Sequence, residues 1–355
     1  MKLSAFTVVD SSLEGSTAGD DRVGDVIRLA EVADTAGLSA LWVAEHHFHS
    51  GGLCPSPPVL LAACGARTQR LRLGALVSVL PFHRPIDVAE EYSLLDRLVR
   101  GRLNLGVGSG YLPSEFEGFG VDPATKRDRF DSALEAVLTA FDGGEIDAGG
   151  GPTRKVRLNV LPVQRPHPPL WVAVQRREAV PHVARRGFSI ALIPYATLAD
   201  RTELADVIRE YRSNLPAGRM GEVAIALPVY SGDDPAGARR ALRRYLESRT
   251  RTQSTFYVEK ARRDPHSATP EALEDAGWVV IGGPEDVRRR LTAFAEVGVD
   301  EVLGIFDFGG LAADDVARSV RALSAVWDRS TEASPGSRQA RREPSSDGVR
   351  SGNRH

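Results

Sequence analysis

From Leu71 to Leu80 the chain reads Leu-Arg-Leu-Gly-Ala-Leu-Val-Ser-Val-Leu, with hardly a polar break. A strand with one wet face alternates apolar and polar residues, so this near-continuous run predicts a parallel strand covered on both sides. Parallel strands need helical crossovers, and the sequence supplies them. Leu3 to Val9 is β-rich; Asp25 to Ala36 then sets Val26, Ile27, Leu29, Ala30, Val32 and Ala33 at helical spacing, with Gly37 as a stop. The unit recurs as Ala40 to Ala44 before a helix from Pro57, as Arg72 to Leu80 before Ile86 to Val99, and as Arg102 to Val107 before Lys126 to Phe141. Beyond a Gly- and Pro-rich interval, Gly143 to Pro169, come the strands Leu170 to Val174, Phe188 to Ile193, Val223 to Val229 and Glu301 to Phe306. Helical stretches follow each of these, and the last runs from Asp314 to Trp327.

Eight strand-helix units are the count of a closed (β/α)8 TIM barrel, an α/β fold with insertions on its loops. An open, doubly wound sheet also buries parallel strands, but eight units without a second-domain signature favour closure. The barrel is expected over residues 1–330. A disordered tail is expected over 331–355, where apolar residues give way to Ser, Gly, Pro and Arg.

With 355 residues, 42% of them hydrophobic, the chain can bury a sizeable core. Lys+Arg 45 against Asp+Glu 47 leaves a net charge of −2, which gives nucleic acid no field to bind. Two cysteines, Cys54 and Cys64, suit a reducing compartment better than a disulfide scaffold. The first apolar run ends at Asp10, too short for a signal peptide, and nothing approaches the roughly 18 apolar residues of a membrane helix. A cytoplasmic protein without nucleic-acid or membrane partners is expected.

In a barrel the reacting groups lie on the loops after the strands. The second strand runs into Glu45-His46-His47-Phe48-His49, groups that either move protons near neutral pH or only hydrogen-bond the loop backbone. After the fourth, Gly106-Val107-Gly108-Ser109-Gly110-Tyr111 allows close approach of a phosphate to successive N–H groups, or simply turns the chain. After the fifth, Gln175-Arg176-Arg177-Glu178 offers a bidentate grip on phosphate, unless an arginine pairs with Glu178 in solvent. Gly282-Gly283-Pro284 opens a helix whose Glu285 and Asp286 satisfy the helix dipole and repel anions. His47 and His49 with Asp307 form a candidate metal set for a barrel hydrolase, but further histidine ligands after the fifth and sixth strands are missing, and no metal is expected.

Trp42 to Phe48, Gly74 to Pro81 with Glu90 and Glu91, Leu94 to Leu98 into Gly101 to Tyr111, and Pro169 to Val174 occur in this order. Through them the chain resembles the bacterial luciferase-like flavin-dependent monooxygenases over most of residues 1–330. The resemblance implies a two-component enzyme that takes reduced FMN from a separate flavin reductase, forms a C4a-peroxyflavin with O2 and oxygenates an apolar or aromatic small molecule. It makes His46 catalytic and sets Ala75, Leu76 and Val77 against the flavin ring. It also puts a non-prolyl cis peptide at Leu76–Val77, a bond that is costly and rare outside functional sites.

Ser109, Tyr111, Gln175 and Arg176 become the phosphate contacts. This chain has Gly108-Ser109 where luciferase has a Cys-Arg pair, and Arg176 where luciferase has a small hydroxyl residue. The grip on phosphate is thus expected chiefly from the fifth strand, and light emission is not implied. A homodimer is expected, and Gly143 to Pro168 and Arg249 to Pro270 are lids or idle surface loops. A deazaflavin-dependent hydride-transfer oxidoreductase is the alternative within the same fold; a flavin-storage barrel is another if His46 points away from the pocket. The substrate is not readable from a motif.

Overall fold

Eight parallel strands pair in sequence order: β1 (Lys2–Thr7), β2 (Ala40–Val43), β3 (Arg72–Val79), β4 (Leu103–Gly108), β5 (Leu170–Ala173), β6 (Ser189–Leu192), β7 (Val223–Ser231) and β8 (Glu301–Ile305). Pairing of β8 with β1, through Lys2 opposite Glu301 to Ala5 opposite Gly304, closes the ring. The sheet is therefore a (β/α)8 barrel and not an open, doubly wound one. These strands belong to a computed structural model that describes residues 1–10, 21–49, 51–147, 155–251, 258–259, 262 and 268–327. The proposed tail, 331–355, lies outside the described residues, as does most of Arg249 to Pro270.

Helices α1 (Arg22–Ala36), α2 (Pro57–Arg67), α3 (Pro85–Leu98), α4 (Pro113–Gly118) and α5 (Lys126–Phe141) surround the first half of the ring. The second half carries α6 (Val180–Arg185), α7 (Arg201–Asn214), α8 (Pro235–Arg251), α9 (Pro284–Thr292) and α10 (Ala313–Val326). Every residue of β4 and β7 is buried, as double-sided cover requires. One strand joined to the barrel was not expected: Val280–Gly282 pairs with Val229–Ser231, the end of β7 that outruns β8. Three residues are too few for periodicity to register. No helix among the described residues is long and apolar enough to cross a membrane.

The barrel interior is filled by Trp42, whose indole N–H donates to Glu301 Oε1 at 3.2 Å and whose ring meets Trp171 edge-on at 5.4 Å. Gly74 makes room for it, since a Cβ there would lie 2.3 Å from the ring.

At the other end of β3 the register slips: Ala75 faces Leu105, but Ser78 faces Val107, so β3 holds one extra residue. Such a bulge re-aims side chains, here Leu76 and Val77, and the Leu76–Val77 peptide bond is cis, where the resemblance put one. The bulge leans on β4, where a Cβ at Gly106 would lie 2.4 Å from the Ala75 carbonyl oxygen and one at Gly108 would lie 2.6 Å from Val77 Cγ2.

The interval Gly143 to Pro168 is not a lid in its described part. It carries a small antiparallel hairpin, Ile146–Asp147 with Lys155–Val156. Beyond it the Val163 and Gln164 N–H groups donate to Asp96 at 2.7 and 2.9 Å, and the Gln164 side chain donates to the Leu103 carbonyl at 2.7 Å. Leu103 begins β4, so this helix-to-strand connection is tied to the end of the barrel opposite the loops that follow the strands.

Candidate active site

At the C-terminal ends of the strands lies a hollow of about 980 Å³, its open mouth included. Small-molecule sites run to roughly 300–1,000 Å³. Phe6 from β1 and Val8 just beyond it line the hollow, with Leu76, Val77 and Val79 from β3 and Ser109, Gly110 and Tyr111 beyond β4. Gln175, Tyr195 and Arg249 complete the far side. Of the residues expected here, His46, Leu76, Val77, Ser109, Tyr111 and Gln175 reach the lining. Ala75 does not: it is fully buried in the ladder between Val43 and Leu105. Arg176 is exposed and outside the lining.

The loop after β2 is organised by two buried carboxylates. Glu115, on the short helix α4, takes the His47 backbone N–H at 3.0 Å and the His46 Nδ1–H at 3.0 Å, with His49 Nε2 3.4 Å away. Burial pushes its carboxyl up, but the hydrogen bonds from His46 and His49 override that and hold it at about 2. An ionised carboxylate only accepts, so His46 Nδ1 carries the proton and Nε2, at the far end of the ring, keeps a lone pair. Burial holds the His46 imidazole below its ordinary value, outweighing Glu115 beside it. His46 is therefore a neutral, oriented base on the wall of the hollow, and the condition for a storage barrel is not met.

Glu45 is the second hub. It bonds His47 Nε2 at 3.0 Å and His83 Nε2 at 2.7 Å, and accepts the Val79 N–H at 3.2 Å. Burial opposes its charge, but His47 and His83 hold the carboxyl below its ordinary value. Burial likewise pushes His83 down, and Glu45 beside it more than compensates, raising it above the ordinary histidine value. Each hub sets three potential metal donors within 4.8 Å of one another, with the carboxylate already bonded to histidine.

The grouping of His47, His49 and Asp307 is not formed: His47 turns to Glu45, His49 to Glu115, and Asp307 accepts the Thr7 hydroxyl at 2.5 Å. That expectation assumed an extended segment. The strand ends at Val43, and Phe48, at φ 62°, turns the chain between the two histidines.

Four residues in or beside the hollow escaped the sequence reading. Glu115 lies far from His46 in sequence, and Gly52 must lack a side chain, since a Cβ there would meet the His46 ring at 2.7 Å. Lys126, half-buried at the start of α5, reaches the Gly110 carbonyl at 3.4 Å. Burial and then the charge of Arg176 hold its ammonium below the ordinary value. Arg249 is the fourth, a buried guanidinium in the wall. Cys54 and Cys64 are free and buried, and burial pushes both thiols up to about 12, so neither is a nucleophile at neutral pH.

The profile of luciferase-like monooxygenases matches residues 1–301. The chain belongs to that family of monooxygenases, which are oxidoreductases. The oxygenase component of flavin-dependent trigonelline monooxygenase from Acinetobacter baylyi is 26% identical over 305 residues, covering 80% of this chain and 83% of the relative. Two solved structures share the fold. The oxygenating constituent of 3,6-diketocamphane monooxygenase from Pseudomonas putida, in complex with FMN, has a TM-score of 0.74 at 19% identity, covering 91% of this chain and 96% of its own. An F420-dependent secondary alcohol dehydrogenase has a TM-score of 0.71 at 15% identity, covering 92% and 99%.

The Glu115 hub makes stability depend on acid. Its carboxyl titrates at about 2 in the fold against an ordinary 4.5, so its contribution is complete above the ordinary value and disappears as pH falls toward the folded one. Glu115→Gln is expected to lower the melting temperature at pH 7 and to shrink the loss between about pH 5 and about pH 2. Thermal denaturation across that window reads it, and parallel acid limbs for the two proteins contradict the assignment.

Proposed function

We propose that the hollow binds reduced FMN supplied by a separate flavin reductase and uses O2 to oxygenate an apolar or aromatic small molecule. The observation that carries this is the lining itself, which brings His46 together with Leu76, Val77, Ser109, Tyr111 and Gln175 at the ends of the strands. Lys126, whose ammonium reaches the carbonyl of Gly110 in that lining, and Arg176, whose charge acts on it, would give a terminal phosphate charge-assisted contacts. The remainder of the lining fits the rest of the cofactor. Leu76 and Val77, thrown inward by the β3 bulge, would face the flavin ring, while Ser109, Tyr111 and Gln175 offer polar contacts toward the phosphate end. Bound reduced flavin supplies the two electrons by which one oxygen atom of O2 enters the substrate and the other leaves as water.

The chain's own part is to orient, to keep water out and to handle protons. His46 Nε2, fixed by the Nδ1–H bond to Glu115, takes a proton from a group in the hollow and returns it. Phe6, Val8, Leu76 and Val77 make the wall apolar, which limits competing hydrolysis and stray protonation. The trigonelline relative is named as the oxygenase component of its system, which supports a reductase partner here. Val59 on α2 with Leu94 and Leu98 on α3 are large, exposed apolar residues on neighbouring helices, and they support a homodimer through that face. Deazaflavin-dependent hydride transfer is the second reading, favoured by the fold shared with the F420-dependent dehydrogenase. Its cofactor also carries a phosphate, so binding of F420 is measured beside FMN.

Two experiments test the proposal. Lys126→Ala and Arg176→Ala should each weaken FMN by about tenfold and leave riboflavin within about twofold; equal effects on the two ligands, or tighter binding of F420 than of FMN, count against it. His46→Ala should retain FMN affinity while product formation falls by about tenfold to a hundredfold, and unchanged turnover removes His46 from the chemistry.

A further inference from the structure

Three donors converge on one oxygen of Glu115. Oε1 accepts the His46 Nδ1–H and the His47 backbone N–H, each at 3.0 Å, and His49 Nε2 stands 3.4 Å from it. What His49 offers there is settled on the opposite side of its ring. The Gly51 N–H reaches His49 Nδ1 at 3.1 Å. A backbone N–H only donates, so Nδ1 holds a lone pair and the proton of the neutral ring sits on Nε2. Nε2 is buried and has no closer hydrogen-bond partner among the described residues, which leaves its N–H dipole beside the charged oxygen of Glu115.

The consequence falls on His46. With Nδ1–H committed to Glu115, His46 takes up a further proton only at Nε2. The imidazolium so formed has two ways to lose a proton: from Nε2, or by passing the one on Nδ1 to Glu115. The second route opens only if Glu115 is a strong enough base, and every donor on Oε1 makes it a weaker one. Burial works against the charge of Glu115, and the bonds from His46 and then His49 override it to hold the carboxyl at about 2. The groups facing His46 are Glu115 from α4, Arg249 from α8 and His49 from its own loop, with Tyr111, beyond β4, at 6.1 Å between ring centres. The His46 and His49 rings stand 5.1 Å apart, so one carboxylate oxygen couples two adjacent imidazoles.

We propose that His49 is a positioning residue: by giving Glu115 Oε1 a further donor it keeps that carboxylate from drawing off the Nδ1 proton, so that a proton taken up at His46 Nε2 is held there and returned to the hollow. This rests on the reading of His46 as the base of the oxygenation site and adds what directs its proton. In the uptake step an N–H bond forms at Nε2 while the donor in the hollow loses its proton and keeps the bonding pair. The return step reverses both, and Glu115 stays ionised throughout.

The test is nitrogen-15 NMR of the histidine rings in FMN-free protein across pH. The natural protein should show neutral His46 protonated at Nδ1 and neutral His49 protonated at Nε2. Either ring in the opposite tautomer overturns the proposal, and that reading needs no variant. His49→Leu, which keeps bulk and removes the donor, should raise the pH at which His46 takes its second proton by about 0.5 to 1, because Glu115 then carries a less compensated charge. His49→Gln, which keeps an N–H donor, should give less than about half that movement. No movement in His49→Leu, or equal movement in both variants, makes His49 a packing residue and overturns the proposal. If neither variant folds, the tautomers of the natural protein decide. FMN-loaded protein is then reduced and mixed with O2 over the same pH range, where the pH dependence of reoxidation should follow that of His46 in all three proteins. The expected NMR result with reoxidation indifferent to His49, or with no binding of FMN, upholds the positioning of His46 and counts against the flavin reading alone.

Discussion

Glu45 and Glu115 are carboxylates taken out of water at the mouth of a barrel, and a buried carboxylate keeps its charge only where donors surround it. Meeting that requirement shapes the loop after β2. Glu115 draws in the His47 N–H and the His46 ring, Glu45 draws in His47 and His83, and the turn at Phe48 lets neighbouring histidines serve different hubs. The consequence for chemistry is one of orientation. With Nδ1 committed to an ionised Glu115, His46 presents a lone pair at Nε2 and remains neutral at physiological pH.

The hubs also hold elements together. Glu115 comes from α4, beyond β4, and His46 from the loop beyond β2, so their bond ties two strand ends across the mouth. Glu45 accepts the Val79 N–H and so pins the end of β3 just past its bulge. The glycines of β4 make the same bulge possible by leaving room for Ala75 and Val77. Polar loop and apolar wall are thus positioned by one set of contacts, and a change at Gly52, Gly106 or Glu115 is felt at His46 or at Leu76 and Val77.

Much of this was legible in the sequence. Near-continuous apolar runs alternating with helical periodicity were enough for eight parallel strands, and loop position picked out the segments after the second, fourth and fifth strands, within which the family resemblance named His46, Ser109, Tyr111 and Gln175. What the chain order hid falls into two kinds. Glu115 sits in a six-residue helix, where a carboxylate in the first turn reads as a dipole complement. Its role exists only because the fold brings it to a loop from another strand. Arg249 lies in a helix dense in arginine, which reads as a solvated face. Yet it follows Tyr245 by four residues and Leu242 by seven, on the stripe that the helix buries, and that spacing was the available signal. Arg176, expected to touch the phosphate, is exposed and outside the lining of the hollow.

The central claim is that this mouth protects a reaction of bound reduced FMN with oxygen. The measurement that tests it most directly is anaerobic loading of the protein with reduced FMN, followed by rapid mixing with O2 in a stopped-flow spectrometer. The account predicts an oxygen-dependent absorbance transient before the oxidised-flavin band rises, with reoxidation slower than that of free reduced FMN. Reoxidation at the rate of the free cofactor with no transient would contradict it, and a preference for reduced deazaflavin would assign the site to hydride transfer.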